Sequence, residues 1–221
     1  MAESDFLQTT RQGYDATATE YAERFHRHLD DKPLDRAVLI GFGGLVSASE
    51  EHPVVDVGAG TGCVTEILNG LGVPTYGIDL SPGMVAEARR INPALRFEVG
   101  SMTSLDVETG TVAGVVAWYS TIHIPDDHLD AVFTEFARVL VPGGHLLVAF
   151  QVGDTPRHLT DAFGHAVSLT FQRRQPEEVA ARLERAGFTM RARILRERDD
   201  DGFESTPQAF LIASAAGTRG D

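Results

Sequence analysis

Short apolar runs alternate with amphipathic stretches along most of the chain. A strand buried on both faces is nearly all apolar, whereas a surface helix repeats its apolar positions about every 3.6 residues. On this basis strands are predicted at residues 53–57, 75–79, 96–99, 112–120 and 145–150. Helices are predicted at residues 5–30, 33–47, 64–71, 82–92, 127–140 and 176–186.

The order of these elements predicts an α/β fold. Strands that alternate with helices form right-handed crossovers, which give a mostly parallel sheet with helices on both faces. The VPGG segment at 141–144 is predicted as the turn before the fifth strand. The runs 189–197 and 209–215 are separated by a solvated acidic turn and no helix, so they are predicted to pair as an antiparallel C-terminal hairpin. Residues 152–175 are predicted to be an irregular cover over the sheet edge.

Composition and charge narrow the range of partners. The 221 residues suffice for one domain with a substantial core. A net charge of −13 would repel a polyanion, so nucleic acid is not expected as a substrate. No apolar run approaches the roughly 20 residues that span a bilayer, and the N-terminus lacks the pattern of a secretory signal. With Cys63 as the only cysteine, we expect a cytoplasmic protein without a membrane partner, either a monomer or a homodimer.

Three glycines in the segment DVGAGTG follow the first predicted strand. Ligands of open α/β sheets bind beyond the carboxyl ends of the strands, so a backbone without side chains here indicates a close ligand. The spacing differs from the dinucleotide fingerprint G-x-G-x-x-G, because Cys63 stands where the third glycine belongs. Asp56 lies inside an apolar strand, where an unpaired carboxylate is costly. We therefore expect loop N–H groups or a cationic ligand group to bind Asp56.

The segment DVGAGTG resembles motif I of the class I S-adenosylmethionine-dependent methyltransferases. Further matches follow in the order of that family: Asp79, the GSM segment at 100–102, YSTIHIPDD at 119–127 and the VPGG segment. The opening GYDATATEYAERF is similar to that of the type 11-like, quinone and antibiotic-tailoring branch, whose substrates are small molecules. The resemblance implies a Rossmann-like sheet of seven strands and S-adenosyl-L-methionine as the cofactor. It also implies methyl transfer to a small organic acceptor by in-line displacement, without a metal.

The same resemblance implies how a single domain of residues 1–221 is organised. Residues 1–47 would form helices that cover the substrate and cofactor, and residues 48–151 would form the cofactor-binding core. Residues 152–175 would cover the substrate side, and residues 176–217 would form the C-terminal helix and hairpin.

The resemblance assigns cofactor contacts along this core. Asp79 would accept hydrogen bonds from ribose hydroxyls, although its position also suits a helix cap. Leu80 and Met84 would flank the adenine, although both also suit helix and strand packing. Many relatives carry an aspartate where Ser101 stands, which leaves the backbone N–H of Met102 for the adenine edge. The complete set of implied cofactor residues is Tyr14, Asp56, Gly58, Ala59, Gly60, Gly62, Asp79, Leu80, Met84, Ser101, Met102 and Trp118.

Catalysis of methyl transfer depends mainly on alignment, because positive charge leaves the sulfonium as the methyl group moves. A neutral amine or a soft carbon needs no base, whereas a hydroxyl acceptor benefits from one. His123 and Tyr119 follow the fourth strand and are the candidate catalytic residues. His123 suits a base at neutral pH, but it also suits a residue that only lines the pocket. Tyr119 could equally pack against the strand, and O-, N- and C-methylation all remain open.

Two alternatives belong to other functional classes. A regulator could bind S-adenosylmethionine in the cofactor pocket without catalysing methyl transfer. A nicotinamide oxidoreductase would share the sheet and Asp79, but it disagrees with the glycine spacing and with the antiparallel terminal hairpin. Binding of NAD(H) in place of S-adenosylhomocysteine would identify that second alternative.

Overall fold

The fold is described by a computed structural model that covers residues 5–46 and 52–217. Its helices are α1 (Asp5–Phe25), α2 (Pro33–Val46), α3 (Cys63–Gly70), α4 (Pro82–Ile91), α5 (Asp126–Val139) and α6 (Pro176–Arg185). Its strands are β1 (Val54–Val57), β2 (Thr75–Asp79), β3 (Phe97–Val99), β4 (Val112–Trp118), β5 (Leu140–Gln151), β6 (Arg157–Ala162), β7 (His165–Phe171), β8 (Phe188–Arg196) and β9 (Gln208–Ala215).

Seven of these strands form one sheet in the order β3-β2-β1-β4-β5-β9-β8. The first five run parallel to one another, and β9 pairs antiparallel with both of its neighbours, β5 and β8, so that β9 alone runs in the opposite direction. The predicted fold class is therefore confirmed. Every residue of β4 is buried because helices cover both faces of the sheet. One cluster of buried side chains includes Phe133 and Leu183 of α5 and α6, and the other includes Phe42 and Leu68 of α2 and α3.

The cover segment is not irregular, and this prediction was wrong. Strands β6 and β7 form a two-stranded antiparallel hairpin that packs against α1. Its turn contains Phe163 and Gly164, with φ values of 54° and 84°. Helix α1 approaches β7 closely at Gly13, where an added Cβ would lie 2.7 Å from the Leu169 side chain. Strand β6 is mostly polar, but Val167, Leu169 and Phe171 of β7 occupy alternate positions, so the sequence carried a strand signal that the prediction missed.

Two predicted boundaries also differ. Helix α1 ends at Phe25, and a short 3₁₀ helix occupies His28–Asp31, where a continuous helix to residue 30 was expected. The segment 141–144 belongs to β5 and is not a turn. Its pairing with β4 shifts between Val112 and Gly114, so the extra residues form an irregularity within the strand. The second helix ends at Val46, and the last position of its predicted range, residue 47, lies outside the described residues.

The acidic turn between β8 and β9 forms ion pairs with a lysine, whereas a solvated turn was expected. The ammonium of Lys32 contacts Asp199 and lies 2.7 Å from Asp201 and 3.3 Å from Glu204. The turn is thereby attached to the start of α2. Across residues 5–46 and 52–217, no helix has both the length and the apolar character needed to cross a membrane.

Candidate active site

A cavity of about 880 Å³, open to solvent, lies over the carboxyl ends of β1, β2 and β4. A smaller cavity of about 390 Å³ adjoins it and shares part of its wall. Asp56 and Ala59 line only the smaller cavity, and Gly62 lines neither. The larger cavity brings together most of the predicted site residues: Tyr14, Gly58, Gly60, Asp79, Leu80, Met84, Ser101, Met102, Trp118, Tyr119 and His123.

The three glycines of the loop after β1 have different neighbours, although all have positive φ. A Cβ added at Gly58 would lie 2.2 Å from the Cβ of Ser120, and one added at Gly62 would lie 2.6 Å from the ring of Phe97. These two positions need glycine for packing within the protein. A Cβ on Gly60 would meet nothing within 4 Å. Gly60 is therefore the position where the backbone faces open space that a ligand can occupy.

Asp79 fixes the conformation of this loop. Its Oδ2 accepts a hydrogen bond from the N–H of Gly60 at 2.7 Å, and its Oδ1 accepts one from the N–H of Ser81 at 2.8 Å. The helix cap is Ser81 itself, whose hydroxyl accepts from the N–H of Met84. Burial raises the pKa of Asp79 to about 6, although both N–H groups oppose the rise. Each carboxylate oxygen retains lone-pair capacity for a further donor.

Asp56 is buried and contacts helix α3. Its Oδ2 accepts a hydrogen bond from the Thr65 hydroxyl at 2.7 Å, so its protein donor is not the glycine loop as was expected. Its Oδ1 is buried without a hydrogen-bond partner among the described residues. Burial raises the pKa of Asp56 to about 7. The carboxyl group is therefore partly protonated at neutral pH, and a cationic ligand group nearby would favour its ionised form.

The side chains beyond Asp79 form the other end of the large cavity. Leu80 is half-buried and Met84 is buried. The Ser101 hydroxyl is hydrogen-bonded to the hydroxyl of Thr103 at 2.8 Å, so this side chain is engaged within its own turn. Arg11 was missed by the sequence analysis; it lines the cavity and its Nε donates to the carbonyl of Leu80 at 3.2 Å.

His123 connects helix α1 to the β6–β7 hairpin. Its Nδ1 lies 3.0 Å from the carbonyl oxygen of Thr170, which can only accept, so Nδ1 carries the hydrogen. Its Nε2 lies 2.7 Å from the hydroxyl of Tyr14, and in the neutral ring this nitrogen accepts the hydroxyl proton. Burial lowers the pKa of His123 to about 4. Both ring nitrogens of His123 are thus occupied by protein groups.

Trp118 is the last residue of strand β4, and Tyr119 follows it with an unusual backbone conformation. Tyr119 has φ of 51°, and its N–H donates to the carbonyl of Ala149 at 3.0 Å. The indole of Trp118 stacks on Phe210, with ring centroids 5.2 Å apart. Burial, followed by the charge of Asp35, raises the pKa of Tyr119 well above its usual value. The hydroxyl therefore stays protonated at neutral pH, which disfavours it as a base.

His28 lines both cavities and was also missed by the sequence analysis. The prediction of a helix through residue 30 placed it on a regular helix face. The segment HLDD at 28–31 carried a usable signal, because aspartates and a following proline disfavour a helix interior.

Comparison with known sequences agrees with this geometry. Residues 54–144 match the family described as a methyltransferase domain. The chain is 30% identical over 176 residues to demethylspheroidene O-methyltransferase of Rhodobacter capsulatus, covering 76% of the chain and 44% of that protein. It is 36% identical over 119 residues to demethylmenaquinone methyltransferase of Beutenbergia cavernae, covering 54% and 47%. The chain thus spans less than half the length of these curated relatives.

Solved structures share the whole fold. The DhpI–SAH complex has a TM-score of 0.72 and 20% identity, covering 99% of this chain and 100% of that one. Magnesium protoporphyrin IX methyltransferase from Synechocystis PCC 6803, solved with bound SAM, has a TM-score of 0.70 and 18% identity, covering 98% and 100%. The family match at residues 54–144, the curated relatives and this shared fold together confirm the predicted resemblance to methyltransferases.

Proposed function

We propose, on the premise that residues 54–144 form a methyltransferase domain, that this protein transfers a methyl group from S-adenosyl-L-methionine to a small organic acceptor. The observation that carries the proposal is the backbone at Gly60, which faces open space while its N–H is fixed by Asp79. The described residues fit this cofactor, because a side chain at Gly60 would fill the same space and Asp79 retains acceptor capacity for ribose hydroxyls.

Each part of the cavity has a role in this proposal. When bound, the cofactor supplies an electrophilic methyl group on a sulfonium centre. Asp79 binds the ribose, Met84 and Leu80 contact the adenine, and the buried carboxyl of Asp56 stabilises positive charge near the glycine loop. The bond between Tyr14 and His123 holds α1 over the cavity and limits the access of water.

The small-molecule acceptor is supported by the names of the relatives, which act on demethylspheroidene and demethylmenaquinone. The net charge of −13 opposes a nucleic-acid substrate. We propose a cytoplasmic protein, supported by its single cysteine. We also propose that residues 1–221 act as one domain with the divisions expected from the sequence.

Titration calorimetry with S-adenosylhomocysteine and with NADH tests which class of cofactor the protein binds. We expect binding of the first and not of the second. Asp79→Ala should weaken S-adenosylhomocysteine binding by about 1.5–3 kcal/mol, because charge-assisted hydrogen bonds to the ribose are lost. Asp106→Ala is the control, since Asp106 is exposed and lies outside both cavities. Thermal unfolding of both variants separates a loss of affinity from a loss of folded protein.

Three results would contradict parts of the proposal. NADH binding without S-adenosylhomocysteine binding would replace it with a nicotinamide enzyme. An unchanged dissociation constant in Asp79→Ala would leave this residue only its role in fixing the loop. Tight cofactor binding with no product release across phenolic, amine and carboxylate acceptors would favour a regulator.

A further inference from the structure

Two histidines line the large cavity, and they differ in which ring nitrogens are available. His123 has both nitrogens hydrogen-bonded, to the Tyr14 hydroxyl and the Thr170 carbonyl. A proton can reach His123 only if one of these bonds opens. His28 belongs to the wall that the two cavities share, as do Gly60 and Trp118.

The hydrogen bonding of His28 fixes its tautomer. Its Nδ1 lies 2.6 Å from the carbonyl oxygen of Phe25, so Nδ1 must be the donor. The neutral ring then presents a lone pair at Nε2. Within residues 5–46 and 52–217, no group is hydrogen-bonded to this Nε2, and it is not among the buried polar atoms without partners. The unprotonated nitrogen is therefore open to a ligand in the cavity.

The charges around His28 also suit transient protonation. Burial lowers the pKa of His28, while the Phe25 carbonyl and the carboxylates of Asp35 and Glu204 oppose that effect, and Lys32 adds to it. His28 is thus neutral at neutral pH, yet carboxylates stand nearby to stabilise its cation. For His123, burial lowers the pKa to about 4, and only the Thr170 carbonyl opposes it.

Aromatic rings next to His28 indicate the kind of acceptor. The ring of Phe25 lies with its centroid 6.2 Å from that of His28, 5.0 Å from Tyr21 and 5.5 Å from Phe203. Phe163 lies 6.2 Å from Phe25, and both Phe163 and Phe203 are exposed. Of these rings, Tyr21 and Phe25 line the smaller cavity together with His28, so this space favours a flat aromatic molecule that packs against them.

We propose that His28 is the catalytic base and that the acceptor is an aromatic hydroxyl compound. This inference rests on the proposed methyltransferase function. The acceptor proton passes to Nε2 of His28 as the acceptor oxygen bonds to the methyl carbon, and the electron pair of the breaking carbon–sulfur bond stays on sulfur. The positive charge of the sulfonium thereby ends on the imidazolium, which releases its proton to solvent after the product leaves.

The variant His28→Asn tests this role, because its amide can still donate to the Phe25 carbonyl but cannot accept a proton. With catechol as the acceptor, we expect turnover to fall by about 10²–10⁴-fold, the usual contribution of a positioned base. The dissociation constant of S-adenosylhomocysteine should stay within about 2-fold. His145→Asn is the matched control, since His145 lies at the opposite end of the sheet from the cavity.

A second acceptor distinguishes a base from a structural residue. The nitro group of 4-nitrocatechol makes one hydroxyl acidic enough to ionise near neutral pH, so its methylation at about pH 8 needs no base. His28→Asn should therefore lose little activity with 4-nitrocatechol. An equal loss with both acceptors would overturn the proposal, because it would assign His28 to packing or binding.

A measurement without turnover completes the test. The absorption spectrum of 4-nitrocatechol reports its ionisation, and binding to the S-adenosylhomocysteine complex should lower its pKa in wild type but not in His28→Asn. Identical spectra in the two proteins would overturn the proposal. Methylation of amine acceptors alone would also overturn the proposal for His28, although it would still agree with the proposed methyltransferase function. Failure to bind S-adenosylhomocysteine at all would instead refute the proposed function.

Discussion

Replacing Asp56 by asparagine would remove a buried charge while keeping the shape of the side chain. Asp56 is 1% exposed, and its Oδ2 accepts a hydrogen bond from the Thr65 hydroxyl at 2.7 Å. The amide oxygen of asparagine can accept the same bond. The new amide nitrogen takes the place of Oδ1, which has no hydrogen-bond partner among the described residues. The substitution therefore isolates the effect of ionisation.

The size of the effect follows from the pKa of Asp56, which burial raises from 3.8 to about 7. Each pKa unit is worth about 1.4 kcal/mol, so this rise corresponds to about 4 kcal/mol. Between pH 3.8 and about 7, Asp56 keeps its proton in the folded chain but has lost it in the unfolded chain. The free energy of unfolding of wild type therefore falls as pH rises through this window and levels off above about pH 7. Asparagine does not titrate, so the variant lacks this contribution.

Urea unfolding at pH values from about 4 to 8 measures the difference. We expect the stability of Asp56→Asn relative to wild type to rise by about 4 kcal/mol across this range. Taking the difference between the two proteins at each pH removes the contributions of the titrating groups that they share, including Asp79. Asp106→Asn, at an exposed position, should change by less than about 0.5 kcal/mol. Parallel curves for wild type and Asp56→Asn would refute the reasoning that burial controls this carboxyl group.

Two further predictions separate ligand space from packing. Gly60→Ala should weaken S-adenosylhomocysteine binding at least about 10-fold at a modest loss of stability, because its Cβ enters open space at a φ of 54°. Gly62→Ala should mainly lower the melting temperature, since its Cβ would lie 2.6 Å from Phe97. Titration calorimetry measures the affinity of each variant, and thermal unfolding measures its stability. A loss of affinity in Gly62→Ala and a loss of stability in Gly60→Ala would contradict the assignment of Gly60 to ligand space and Gly62 to packing. Tyr14→Phe should lower the free energy of unfolding by about 1–3 kcal/mol, because Nε2 of His123 is left without its donor. An unchanged urea midpoint would show that this bond adds nothing to stability.

The glycine loop and the sheet could be predicted because their determinants are local in sequence. A β-branched run that ends in glycine specifies a strand and a tight turn whatever surrounds it. Asp79 could be placed near that turn because parallel strands end at the same sheet edge. The individual glycines could not be distinguished in this way. Whether Gly60 or Gly62 faces a ligand depends on Phe97, which lies on another strand.

The contacts of His123 could not be predicted from local pattern. Tyr14 and His123 are 109 positions apart, and their bond depends on how α1 lies across the sheet. The carbonyl of Thr170 belongs to the β6–β7 hairpin, and its approach to His123 depends on how that hairpin lies against the rest of the chain. His28 differs, because the segment HLDD that contains it carried a local signal against the continuous helix that was predicted there. Both contacts of His123 join distant segments, and tertiary packing determines them.

Lys32 is the only lysine in the chain, and its side chain is 13% exposed within the group of carboxylates around it. Only a neutral amine attacks an acylating reagent, and the hydrogen bonds that Lys32 donates to Asp199, Asp201 and Glu204 raise the pKa of its ammonium group against the effect of burial. Amine-coupling dyes should therefore leave the side chains of the folded protein untouched. A lysine introduced on the exposed face of the β6–β7 hairpin would then be the one side chain that such dyes label, alongside the α-amino group, and would report whether the hairpin changes its surroundings when ligands bind.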